Sequence, residues 1–143
     1  MSFPFYKQKS ALSCGVACLR MIAKYFGKDY NSKYFKSFAE QKETNMLQLN
    51  NAAEKLGFKT LCVKISLKKL IKEAPLPCIL HWNNNHFVVL YDIKKTNLKK
   101  ETIFSIANPS LGLLQYEQKE MTQHWYNSES KNLGIALLFD AEI

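Results

Sequence analysis

Long apolar runs are missing from this chain. The cleanest stretches, residues 87–91 and 135–139, fall well short of the roughly 18–20 residues that a spanning helix needs. The amino terminus, MSFPFYKQKS, has no apolar signal core, so the chain as given is expected to be soluble and not itself secreted. Glycine and proline are scarce, at 5 and 4 among 143 residues, and scattered, which excludes a low-complexity linker. No internal repeat is present, and residues 1–143 read as a single domain, long enough to bury a real core. Arginine is almost absent, Arg20 being the only one, although the net charge is +8. Nucleic-acid readers use arginine on base edges, so nucleic acid is not an expected partner. The lysines are dispersed, with short clusters such as Lys68–Lys69 and Lys94–Lys95, and a solvated basic surface accounts for them.

What is present has the proportions of a globular domain, 47% hydrophobic and 22% charged. Without a secretion signal, Cys14, Cys18, Cys62 and Cys78 are expected to be reduced thiols. Cys62 and Cys78 lie in apolar strand-like runs and read as small buried hydrophobes. Ser13 is a good N-cap for a helix over residues 14–26 that Gly27 stops. Its apolar face is broad, leaving Val16, Arg20 and Lys24 for solvent, so it should be largely buried against a sheet. Further helices are expected over 32–39, from Thr44 or Asn45 to Leu56 with Gly57 as stop, over Leu67–Glu73 capped by Ser66, and over Gln118–Trp125. Strands are expected at 58–65, Cys78–Trp82, 86–93, 102–107, 113–116 and 133–139. Helices first and antiparallel strands after them predict an α+β fold, with the early helix packed on the later sheet.

Chemistry concentrates at Cys14. As the first helical residue it meets unsatisfied backbone N–H groups and the positive end of the helix dipole, which favour the thiolate. Gly15 beside it permits close backbone approach. A thiolate nucleophile needs a proton acceptor from elsewhere in the fold. His86 opens an apolar strand after a polar turn, where its ring can sit at a sheet edge facing a cleft. It is preferred to His81, paired across the hairpin or partly buried, and to His124, which reads as surface. Asn108, ending the strand 102–107 before Pro109, is the natural orienter, and the order Cys, His, Asn matches a known variant of the triad. Asp92 is too far along the His86 strand, roughly 20 Å at about 3.3 Å per residue. Gln8 supplies a side-chain N–H for an oxyanion.

These residues compose familiar motifs. QKSALSCGVACLRMIAKYFG (8–27), HWNNNHFVVL (81–90) and IANPSLG (106–112) together resemble, in order, the nucleophile, histidine and Asp-Pro motifs of the C39 peptidase family. TNMLQLNNAAEKLGFK between them is similar in style, and the resemblance runs from about Tyr6 to Phe139. It implies a papain-like domain at the N-terminus of a peptidase-containing ABC transporter, on the cytoplasmic side of the bacterial inner membrane. Such a domain cuts leaders from bacteriocins and other ribosomal peptides after a double-glycine-type pair, coupled to export. By matching position the resemblance implies Cys14 as nucleophile, His86 as base, Asn108 as orienter and Gln8 as oxyanion-hole donor. Its implied partners are a precursor peptide with a double-glycine leader and the transmembrane and nucleotide-binding parts of the transporter. Membrane is met only through the full-length transporter. No cofactor or metal is implied in this domain, ATP belonging to a separate nucleotide-binding domain.

Two positions depart from the pattern. Ser13 and Asn108 stand where the family commonly has Asp. An Asp-to-Asn change in a serine-protease triad costs about 10⁴ in rate through the wrong tautomer. A cysteine already ion-paired with its histidine depends less on that charge, so a working, slower enzyme is expected. The alternative is a degenerate C39-like domain that binds leader or substrate for export without cutting. A metal-binding regulator using Cys14 and Cys18 is poorly supported, because Cys-x3-Cys lacks a second paired motif.

Overall fold

A computed structural model describes residues 3–8, 14–28, 45–83, 85–95, 101–126 and 132–140. The expected N-cap at Ser13 and helix over 32–39 lie outside the described residues. Helix α1 (Cys14–Tyr25) and helix α2 (Met46–Lys55) precede strand β1 (Thr60–Ile65). Helix α3 (Leu67–Glu73), strands β2 (Cys78–Trp82), β3 (His86–Lys95), β4 (Thr102–Asn108) and β5 (Gly112–Glu117), helix α4 (Gln118–Trp125) and strand β6 (Gly134–Phe139) follow. Element boundaries read from sequence fall within one or two residues of these.

Local chemistry explains the starts and stops. Asn45 caps α2 with a reciprocal capping box: its Oδ1 accepts from Gln48 N at 2.8 Å, and its own N–H donates to Gln48 Oε1 at 3.0 Å. Ser66 Oγ accepts from Lys69 N at the start of α3. Helices α1 and α2 both end on glycines with φ of +83° and +95°, Gly27 and Gly57. The amides of Lys28 and Phe58 reach back to Ala23 O and Ala53 O, closing Schellman motifs.

The six strands form one antiparallel sheet in the order β1-β6-β2-β3-β4-β5. The last strand is inserted between β1 and β2, which puts an apolar segment, GIALLF, in the interior of the sheet. Alternate residues of the central strands feed two cores. Ile79, Phe87, Val89 and Leu137 pack against α1 and α2, whereas Leu80, Val88, Leu90 and Phe104 pack against α3 and α4. A β-bulge between Leu90 and Asp92 reverses the alternation, so Tyr91 faces the first core and Ile93 the second. The architecture is α+β, with helices covering both faces of the sheet. The sequence predicted the early helix on one face; the covering of the other by α3 and α4 is additional.

Three sequence expectations are corrected here. Cys62 is exposed rather than buried, because β1 is an edge strand with its apolar residues only partly covered; Cys78, in β2, is fully buried. His124 is not a bare surface residue. Its ring stacks on Trp82 at 5.0 Å, and its Nδ1 lies 2.8 Å from Asn83 Oδ1, beside the positive-φ turn before β3. Arg20 is half-buried, its guanidinium over the ring of Tyr6, rather than left to solvent.

Candidate active site

Cys14 opens α1 and is 3% exposed, outside any disulfide. Gly15 is tightly flanked: a Cβ there would stand 3.0 Å from the Leu49 side chain of α2, so glycine lets the two helices close together beside the thiol. One turn on, Cys18 is fully buried. Burial holds its thiol well above the ordinary range, and the negative charge of Cys14 raises it further. The two thiols, one turn apart on one face of α1, thus sit in different settings, Cys14 at the helix start and Cys18 enclosed behind it.

His86 is the first residue of β3 and Asn108 the last of β4. Because β3 and β4 are antiparallel, with Val89 opposite Ala107, both residues come to the same end of the sheet. His86 therefore stands at the end of a central strand, not on a sheet edge as the sequence suggested. Its Nε2 lies 3.0 Å from Asn108 Oδ1. Two further donors settle the roles, since Ser110 N and Ser110 Oγ lie 3.0 and 2.9 Å from the same oxygen. A backbone N–H can only donate, so this atom of Asn108 is the oxygen and His86 Nε2–H must donate to it. In the neutral ring the unprotonated nitrogen is then Nδ1, the one available as a base.

Packing places Cys14 at the same end. Helix α1 lies on β3. Phe3 touches both the end of α1, at Tyr25 (5.7 Å), and Tyr91 of β3 (4.6 Å). From Tyr91 back to His86 is about 16 Å at 3.3 Å per residue. From Tyr25 back to Cys14 along the helix is also about 16 Å at 1.5 Å per residue. The arm that starts at Phe3 passes Arg20 at Tyr6 and reaches Pro109 at Gln8, so α1 and β3 run the same way and Cys14 comes toward the His86 end of the sheet. Gln8 arrives there too, its N–H donating to Pro109 O at 2.9 Å.

Among the other sequence candidates, His81 opposes Phe87 across the β2–β3 hairpin, 5.4 Å between rings, and is partly buried. Asp92 pairs loosely with Lys94 at 3.9 Å, six residues along β3 from His86. Sequence reasoning missed Ser110. Asn-Pro-Ser was visible as a turn signal, and the bond from Ser110 N to Asn108 Oδ1 is the Asx-turn that such a signal predicts. No group of three His, Cys, Asp or Glu able to hold a metal stands together among the described residues. No helix among them is long and apolar enough to cross a membrane.

Comparison with known proteins gives a consistent picture. The model of the peptidase C39 family matches residues 2–129. The chain is 32% identical over 136 residues, 94% of its length, to the probable microcin-H47 secretion/processing ATP-binding protein of Escherichia coli, and spans 18% of that protein. To the colicin V secretion/processing ATP-binding protein of Escherichia coli it is 31% identical over 124 residues, 85% of the chain, spanning 17% of that relative. Among solved structures it superimposes with a TM-score of 0.82, at 30% identity, on a double glycine motif protease from an AMS/PCAT transporter in complex with its leader peptide, covering 96% of this chain and 91% of that one.

Proposed function

This chain belongs to the peptidase C39 family, and from that membership we propose that it is a cysteine endopeptidase that removes a leader from a ribosomally made precursor peptide after a double-glycine-type pair. We assign Cys14 as nucleophile, His86 as base and then acid, Asn108 as orienter and Gln8 as oxyanion donor. The observation that supports this most is the bond from His86 Nε2–H to an Asn108 oxygen whose orientation Ser110 fixes. It leaves Nδ1 to take the thiol proton.

In the proposed reaction the Cys14 thiolate attacks the scissile carbonyl carbon, and the carbonyl oxygen becomes an oxyanion beside Gln8 and the backbone amides that begin α1. Collapse breaks the C–N bond. The imidazolium gives its proton to the leaving amine, and the leader remains on Cys14 as a thioester. His86 then takes a proton from water, whose oxygen attacks the thioester and frees the leader carboxylate together with the thiolate. The place of Cys14 at a helix start and the bond between His86 and Asn108 support this reading without a buried carboxylate in the triad. The similarity to much longer secretion/processing proteins supports placing this domain within an ABC transporter, on the cytoplasmic side of the membrane, with transmembrane and nucleotide-binding parts as partners.

Mass spectrometry of a synthetic double-glycine precursor incubated with the chain tests this. Cleavage after the glycine pair, abolished in Cys14→Ala, is the expected result. The uncharged Asn108 favours a second reading, a domain that binds the leader without cutting it. Leader binding with no cleavage by the unaltered chain would select that second reading.

A further inference from the structure

The first described segment, residues 3–8, runs along α1 and is fastened at three points. Phe3, 8% exposed, stacks on Tyr91 of β3, centroids 4.6 Å apart and rings within 10° of parallel. The ring of Tyr6 lies under the Arg20 guanidinium of α1, 3.8 Å from Cζ to centroid. The N–H of Gln8 donates to Pro109 O, next to Asn108. Each fastening falls on a different unit of the proposed machinery: the strand that His86 opens, the helix that Cys14 opens, and the turn after Asn108.

The middle fastening is chemically specific. Lys+Arg number 20 and only position 20 is Arg, so lysine serves at all other basic positions. A planar guanidinium stacks on an aromatic face as an ammonium cannot. Arg20 Nε is shut off from solvent with no hydrogen-bond partner among the described residues, so the ring beneath it is the contact that the structure shows for this group. Tyr6 is two residues from Gln8, too short a span for the arm to slacken in between.

We infer that Arg20 and Tyr6 are positioning residues: their stack holds the N-terminal arm so that Gln8 is kept against the Asn108 turn, where the oxyanion would form. This inference rests on the peptidase reading and on the role given there to Gln8. It makes a distinctive demand. Loss of the stack should impair the step that forms an oxyanion and spare reactions of Cys14 that form none.

The experiment compares Arg20→Met, Tyr6→Ala and Tyr6→Phe with the unaltered chain. It measures kcat and KM on the double-glycine precursor, the thermal midpoint, and the pH profile of Cys14 alkylation by iodoacetamide, resolved by peptide mapping because Cys62 is exposed and would be alkylated as well. Removing an oxyanion donor costs about 10²–10³ in kcat, so its misplacement is expected to lower kcat about 10- to 30-fold in Arg20→Met and Tyr6→Ala. KM and Cys14 alkylation should stay within about twofold, and Tyr6→Phe, which keeps the ring, should retain kcat. On a Gln8→Ala background Arg20→Met should cost less than about twofold more, the coupling expected of residues acting through one another. An unchanged kcat overturns the inference, as does an equal loss on the Gln8→Ala background. So does a joint fall of kcat, alkylation and thermal midpoint, which would mark Arg20 as general support for α1. An unaltered chain that does not cleave at all overturns the peptidase reading itself and this inference with it, an outcome distinct from the others because they all require an active parent.

Discussion

Asn108 gathers three donors onto one oxygen: His86 Nε2, Ser110 N and Ser110 Oγ. An asparagine in a triad fails when its amide turns and presents NH₂ to the histidine, forcing the other tautomer. Here that turn would set the NH₂ against a backbone N–H that cannot accept, inside a site where Asn108 is 3% exposed. Ser110 thus removes the main failure of an uncharged orienter, leaving only the missing electrostatic support for the imidazolium. Asn108→Asp keeps every donor and adds that charge. It should move the alkaline limb of the pH–rate profile of cleavage up, because the added negative charge favours the imidazolium, while the acid limb stays or moves slightly up, because the same charge disfavours the thiolate. The peak rate should rise by no more than about tenfold, since a preformed ion pair already supplies much of the benefit. Ser110→Ala, which keeps the backbone donor, should lose about fivefold in kcat, one neutral hydrogen bond being worth about 1 kcal/mol. An Asn108→Asp profile superimposable on the parent's would mean that this residue does not face the ionising pair.

At the level of elements, β6 shows what a close fit demands. A Cβ on Gly134 would lie 2.2 and 2.3 Å from Trp125 Cε2 and Cδ2, and the same indole donates through Nε1 to Ile135 O at 3.0 Å. Trp125 is 2% exposed, so it has nowhere to retreat. Gly134→Ala should therefore destabilise the fold by about 3 kcal/mol, the upper range for overpacking. That lowers the thermal midpoint by roughly 6–12 °C at this chain length, and calorimetry of the variant decides it. The sequence disclosed that a strand lay here but not that it slides between β1 and β2, for strand order is a tertiary choice that period-2 patterning does not encode. Caps and stops were legible because they are local: Asn45, Ser66, Gly27 and Gly57 each act within a few residues of themselves. Cys62 was misjudged for a related reason, since an apolar run does not say which strand will be the edge. Within the site, Cys14, His86, Asn108 and Gln8 could be named from residue type and order. Ser110, Tyr6 and Arg20 could not, because their significance lies in what they touch.

Across the whole molecule, buried acids set how the fold responds to alkali. Cys78 is fully enclosed between the sheet and the α3–α4 layer, and burial pushes its thiol from the ordinary 9.0 up to about 12. Cys18 shifts the same way, through burial first and the Cys14 charge second, and burial also raises Tyr91 and Tyr116. The folded chain therefore holds protons that the unfolded chain releases, so the stability from these groups is complete below the unfolded pKa and lost as pH climbs toward the folded one. For Cys78 the loss begins near pH 9 and accrues at roughly 1.4 kcal/mol per pH unit. An opposing effect exists, since a chain of net charge +8 repels itself less as its lysines neutralise. Those lysines are dispersed, and at physiological salt charges more than about 8 Å apart are largely screened, whereas an enclosed thiol is not. The buried groups should win. Urea midpoints are expected to fall steeply from pH 8 to pH 10 in the parent. Cys78→Ala should start lower at pH 8, because a cavity replaces the sulfur, yet fall less steeply, by roughly 1.4 kcal/mol over that last unit. Parallel curves for the two chains would show that Cys78 does not ionise on unfolding in this range and that the alkaline weakness lies in the tyrosines or in Cys18.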